Sequence, residues 1–179
     1  MQITLQQSNL VPFSKGDMAG KREHAVKDAL EQLPLQPQGS VREKLYRLQA
    51  ALNEVEEIEC PLQHVFAPGA YARTIFIPRG GVLVGKIHKH KHLNILSQGT
   101  VLVLTESGGL EQLTGPLTMV SEPGTKRAVQ ALTDVVWTTI HLTNETDLEK
   151  IENEVIAKNY AEYEQFRLSM ETKFIEEQK

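Results

Sequence analysis

Between Val65 and Leu142 the chain breaks into eight short runs rich in Val, Ile, Leu and Thr, and turn residues interrupt them again and again. This punctuation constrains the fold more than any other feature. The runs are Tyr71–Ile77, Val82–Ile87, Leu93–Leu96, Thr100–Leu104, Leu110–Leu113, Leu117–Val120, Arg127–Gln130 and Val135–Leu142. Between them lie Pro78–Gly81, Ser97–Gly99, Glu106–Gly109, Thr114–Pro116 and Glu122–Gly124. Short strands at such spacing predict an antiparallel sandwich or barrel. No segment of helical period interrupts them, which argues against a parallel βαβ sheet. Gly99 should sit in a tight turn with positive φ, because glycine enters that region without a Cβ clash.

The flanks read differently. Residues 1–21 are polar and mixed, with Pro12, Gly16 and Gly20, and suggest an extended arm. A short helix is expected over Arg22–Leu33. Pro34–Gly39 then breaks the chain, either as a linker or as a docking strand. Ser40 and Glu43 form a capping box ahead of a second helix that reaches Glu57. Its apolar stripe, Val41, Leu45, Leu48, Leu52 and Val55, suits packing on the barrel or a helix–helix contact between subunits. After His141 the helical period returns. Thr146 and Glu149 look like another capping box, and a stripe from Leu148 to Phe174 predicts one helix of ~45 Å over 147–176. That is longer than one barrel face can cover. A homo-oligomer is therefore expected, most simply a two-fold dimer, with Tyr163, Phe166, Met170 and Phe174 meeting Leu45, Leu48 and Leu52 of another copy. The division that follows is residues 1–59 as arm and helices, 60–145 as barrel and 146–179 as a C-terminal helix.

Composition excludes several classes. The 179 residues carry a formal net charge of −4, which argues against a nucleic-acid binder. The lone cysteine, Cys60, cannot make an intrachain disulfide, and beside Pro61 it reads as a packed residue rather than a nucleophile. The N-terminus lacks the pattern of a signal peptide, and no apolar run approaches the roughly 20 residues that span a bilayer. Glu54, Glu56, Glu57 and Glu59 read as a solvated acidic face. His24 and His64 show no partner in the sequence. A soluble, intracellular protein with no membrane partner is expected.

Chemistry is concentrated in the segment Gly85 to Gly99. His88, His90 and His92 stand at alternate positions, so a continuous strand would project them to one face and Lys89 and Lys91 to the other. Imidazole is a common metal ligand. Three alternate positions extend over ~13 Å, too far for one ion unless the strand bends. Two of the three plus a distant residue is the better site, and His141, following Trp137 and Thr139 at alternate positions, is a candidate for the distant ligand. The bland reading is a polar barrel mouth holding no ion. Lys86, Arg73 and Arg127 form a candidate cluster for a carboxylate or phosphate, against the plainer alternative of ion pairs with Glu106 or Glu122. No phosphate-binding glycine loop, nucleophile elbow or metalloprotease motif is present.

The segment resembles the cupin superfamily. From Gly80 the spacing of the first cupin motif lands on Lys86, His88, His92 and Gly99. The resemblance implies a jelly-roll barrel, which with the helices read at both ends makes the chain mainly β with flanking helices, and the metal site usual in that superfamily is degraded here. His88 alone keeps its type: Lys86 replaces the first histidine and His92 the glutamate. The second motif resembles Pro123–Arg127, with Arg127, which stays protonated, in the place of a histidine. Together with Cys60-Pro61, Phe66–Gly69, Val136–His141 and Glu145–Leu148, these features are similar to a group of small cupin-like proteins of tailed bacteriophages. That resemblance implies a bacterial host cytoplasm or the virion. With the metal motif degraded and an apolar helix in surplus, the sequence favours a non-enzymatic structural, assembly or interaction module, with a phage structural protein as candidate partner. The alternative is a metal-dependent enzyme or small-ligand binder using His88, His90, His92 and His141, with zinc, iron, manganese or nickel as candidate ion.

Overall fold

The computed structural model describes residues 39–177. The expected arm, the helix over Arg22–Leu33 and His24 lie outside them. Helix α1 (Val41–Asn53) leads into strands β1 (Leu62–Ala67), β2 (Ala70–Ile77), β3 (Val82–Val84), β4 (Ile87–His88), β5 (His92–Gln98) and β6 (Thr100–Thr105). The return half holds β7 (Gly109–Thr114), β8 (Leu117–Ser121), β9 (Arg127–Ala131) and β10 (Val135–His141). Helix α2 (Leu148–Val155), strand β11 (Ile156–Ala157) and helix α3 (Tyr160–Glu177) complete it.

The pairing explains the architecture. β6 pairs with β7, β5 with β8, β3 with β9 and β2 with β10, all antiparallel. The outgoing and returning strands thus form one long nested hairpin, wound so that alternate pairs fall in opposite sheets. One sheet has the order β1-β2-β10-β5-β8 and the other β3-β9-β6-β7. This is a jelly roll: an antiparallel β-barrel with flanking helices. The turn at Gly99 joins the sheets with φ of +94°, as its sequence context predicts. A Cβ there would collide with the Asp134 carbonyl oxygen and lie 2.8 Å from Val135 Cγ2.

Buried Ile77, Leu96, Val101, Val129, Val135 and Trp137 fill the space between the sheets, and Cys60 packs against them. Inward positions alternate along each strand, as the pleat requires. α1 lies against β3, with Leu45 fully buried, so the centre of its apolar stripe is used inside the chain. Burying such a side chain is worth roughly 1.5–3 kcal/mol. The capping box at Ser40 and Glu43 is formed as the sequence predicts, but the helix stops at Asn53, short of Glu57.

Three expectations are corrected. The run Val82–Ile87 is two strands: β3 pairs with β9 as far as Val84, Gly85 still donates in register to the Arg127 carbonyl at 2.8 Å, and Ile87 then pairs with Ala157 of β11 instead. β1 was not foreseen: it is an edge strand with mostly exposed side chains, so it lacks the buried alternation that marks a strand in sequence. The C-terminal stripe is not one helix. Asp147 rather than Thr146 caps α2, its carboxylate accepting from the Glu149 and Lys150 amides at 3.0 and 3.1 Å. α2 then ends because Ile156 and Ala157 pair with His88 and Ile87. The helix resumes at Tyr160. Tyr163 rests on the Gly124 turn, where a Cβ would lie 2.7 Å from the tyrosine Cζ. Further along α3, Leu168, Met170, Phe174 and Ile175 are exposed. No described helix is long and apolar enough to cross a membrane.

Candidate metal centre

The strand register stacks the cavity of the barrel in layers. Along β2 and β10 the inward pairs are Tyr71 with His141, Arg73 with Thr139, Ile75 with Trp137 and Ile77 with Val135. On β5 the matching residues are His92, Asn94 and Leu96. β9 contributes Arg127, then Val129. A layer of imidazoles therefore lies above a layer of guanidinium, amide and hydroxyl groups, which lies above an apolar floor. The cavity between them has a volume of ≈ 120 Å³, room for a few water molecules or a small ligand.

His88, His92 and His141 converge there, with one ligand nitrogen from each within 4.8 Å of the others. The ring centroids of His88 and His92 are 4.1 Å apart, and each lies 5.0 Å from His141. The convergence corrects the picture of three histidines on one strand face. His88 belongs to β4 and His92 to β5, and the chain bends through Lys89–Lys91 between them. The bend returns His92 to the side of His88 and leaves His90 exposed outside the cluster, edge-on to Phe166 of α3 at 5.1 Å. His141 completes the cluster, while Lys86 and Arg127 line the cavity outside it. Alternation with Trp137 and Thr139 sets its inward face, and the pairing of β10 with β2 and β5 brings it beside His88 and His92.

All three imidazoles are held neutral. Burial, reinforced by His92, His141 and the nearby arginines, pushes His88 down to about 2. Burial, together with His92, His90 and Arg73, pushes His141 to about 4. Burial also lowers His92, partly opposed by its bond to the His90 carbonyl. That bond, 3.0 Å from Nδ1 to the oxygen, makes Nδ1 the donor and leaves Nε2 with a free lone pair. His88 Nδ1 is buried without any hydrogen-bond partner among the described residues. A buried polar atom left so carries a desolvation cost of about 1–3 kcal/mol. Neutral, convergent, lone-pair-bearing nitrogens with one orphan are the donor set a borderline divalent ion takes. The residues fit such an ion.

The layer beneath is ordered by Asn94, which the sequence reading missed. Its Oδ1 accepts from Trp137 Nε1 at 2.9 Å and Thr139 Oγ1 at 3.0 Å, and its Nδ2 donates to Ser121 Oγ at 2.6 Å. Arg127 also donates to Ser121 Oγ, and its guanidinium lies 5.9 Å from the Trp137 ring centroid. The available signal was a polar residue at an inward position between His92 and Leu96. Arg73, Arg127 and Lys86 all line the cavity. Lys86 is at the rim and pairs with Glu152 of α2. The alternative partners foreseen for the arginines are occupied elsewhere, Glu106 by Arg42 and Glu122 by Lys91. Arg73 and Arg127 make no ion pair among the described residues. His64 does have a partner, the Tyr71 hydroxyl, 2.7 Å from its Nδ1.

No protein-family model matches the chain, and no curated protein does. Solved structures do, over about half of the chain. KdgF from Halomonas sp. is 21% identical over 51% of this chain and 86% of its own, with a TM-score of 0.42. An RmlC-like cupin family protein with a double-stranded β-helix fold from Methanocaldococcus jannaschii is 13% identical over 51% of this chain and 91% of its own, at 0.41. Oxalate decarboxylase from Lactobacillus farciminis, solved as a formate complex, is 13% identical over 55% of this chain and 34% of its own, at 0.43.

Proposed function

We propose that this protein binds a single divalent transition-metal ion on His88, His92 and His141 inside its barrel, as the centre of a small-ligand site. The observation that carries the reading is the buried, unpartnered His88 Nδ1 within a cluster of three neutral imidazoles. A set of imidazoles without thiolate or carboxylate suits zinc, iron or nickel better than magnesium or calcium, which take oxygen ligands. Bound there, the ion would supply Lewis acidity toward an oxygen-bearing ligand. The chain's own residues would orient that ligand: Asn94 fixes Trp137 and Thr139, and Arg73 and Arg127 face the same space. The test is calorimetric titration of metal-free full-length protein with Zn²⁺. One ion per chain should bind, the melting temperature should rise with free metal, and His88→Ala should abolish both. A flat titration of folded protein would overturn the reading. The tailed-phage context rests on the motif resemblance and on nothing in the site.

A second reading, self-association, has support of its own. Val65, Ala72, Ile140, Leu93 and Val120 are successive register partners across all five strands of one sheet. They stand on its outer face, because Arg73 and His141 beside them in sequence face inward. Val65, Leu93 and Val120 are exposed at 50%, 43% and 55%. This apolar row, together with the exposed end of α3, is what a second copy would cover. Sedimentation should give a dimer that Leu93→Glu converts to monomer. A wild-type monomer at micromolar concentration would remove this reading.

A further inference from the structure

The two guanidinium charges of the cavity are not balanced by an acidic partner among the described residues, whereas Lys86 at the rim pairs with Glu152. Arg73 and Arg127 project into the cavity, and no carboxylate lines it. Among the described residues neither arginine has an acidic partner, whereas Arg42, Lys89, Lys91, Lys150 and Arg167 all do. Arg127 is held in place by Ser121, itself fixed by Asn94, so the guanidinium is positioned by a network that leaves donors over. Two guanidinium groups confined in a partly buried space repel one another and lose hydration, a cost that an anion between them offsets. Directly below them, Ile75, Ile77, Leu83 and Val129 make an apolar floor with Trp137.

We infer that the cavity binds a small organic acid, with its carboxylate between Arg73 and Arg127 and a short aliphatic body on the apolar floor. The inference rests on the reading of this cavity as the functional site and deepens it by naming the ligand class. A carboxylate fits better than phosphate for two reasons. The space is small, and its apolar floor offers a tetrahedral oxyanion no hydrogen bond. A planar carboxylate instead matches a guanidinium fork, while its alkyl chain gains about fourfold in affinity per buried methylene.

The test is isothermal titration of the full-length chain with acetate, propionate and butyrate, with butyramide and inorganic phosphate as comparisons. It is run on metal-free and on Zn²⁺-treated protein whose metal content is measured on the same sample. Affinity should rise from acetate to butyrate, and butyramide and phosphate should bind at least tenfold more weakly. Arg127→Gln should weaken butyrate about tenfold to a hundredfold. Arg73→Gln, whose side chain makes no hydrogen bond to the Asn94 network among the described residues, should do the same and guards against a folding defect in the first variant. Phosphate binding more tightly than every carboxylate, butyramide matching butyrate, or no carboxylate binding to either sample would overturn the inference. Carboxylate binding by protein that takes up no metal would sustain it and sink the metal reading. Metal uptake with no carboxylate binding would do the reverse.

Discussion

The two ends of the barrel solve opposite problems. At the Gly99 end the inward residues are Ile77, Leu96, Val101 and Val135, each buried and packed on the others. That end is all stability. At the other end β2, β5 and β10 place Arg73, His92 and His141 inward, joined by His88 of β4 and Arg127 of β9, with an orphan imidazole nitrogen and guanidinium groups without acidic partners. That end costs stability in the free chain, and a ligand meeting those groups would recover the cost. Asn94 sits between the two ends, bonded through both Oδ1 and Nδ2, and helps hold Ser121 and Arg127 in place above a sound floor. A fold can carry such a site only where another part of it is overdetermined.

Perturbing each end in turn should expose the difference. The largest effect is expected at the floor. Gly99→Val forces a β-branched residue into a left-handed conformation against the Asp134 carbonyl, and should destabilise by more than about 3 kcal/mol. The purified variant should be unfolded or melt far below the wild type. An unchanged melting temperature would contradict the turn.

Acid should act next, through the histidine end. The folded-state values of His88 and His141 are depressed from 6.5 to about 2 and about 4. The unfolded chain therefore binds protons first as pH falls. The stability contributed by the neutral imidazoles is complete above about pH 6.5 and is lost below it, at up to about 1.4 kcal/mol per pH unit for each group. His141 stops contributing to the slope near pH 4, and His88 continues lower. Denaturation of metal-free protein between pH 7 and 4.5 should show this slope, and His88→Ala should flatten it. A slope unaffected by that substitution would mean that the imidazoles are not buried as described.

A smaller loss is expected between the two ends. Asn94→Ala removes the acceptor of Trp137 Nε1 and Thr139 Oγ1, and should cost about 1–3 kcal/mol. Unlike Gly99→Val, it should also weaken ligand binding by releasing Ser121 and Arg127. If ligand affinity survives while stability falls, the layer is structural only.

What the sequence disclosed follows the same divide. Strand punctuation and Gly99 made the barrel legible, because turn chemistry is local. The histidine pattern identified His88 and His92, and alternation with Trp137 and Thr139 pointed to His141. Rejecting His90 required the bend at Lys89–Lys91, and that bend depends on β4 pairing with β11, some 70 residues along the chain. The same pairing broke the expected C-terminal helix, since Ile156 satisfies a helical stripe and a strand equally well. Asn94 was hidden because a polar residue inside a barrel looks like an outward one until the register is known.

The central claim, that the three imidazoles hold an ion, is most directly tested by elemental analysis of full-length protein produced without an affinity tag. The account predicts about one zinc, iron or nickel per chain, falling to background in folded His88→Ala and His141→Ala and unchanged in His90→Ala. Folded wild-type protein with no divalent ion above background after dialysis against zinc, or metal lost equally from His90→Ala, would contradict it.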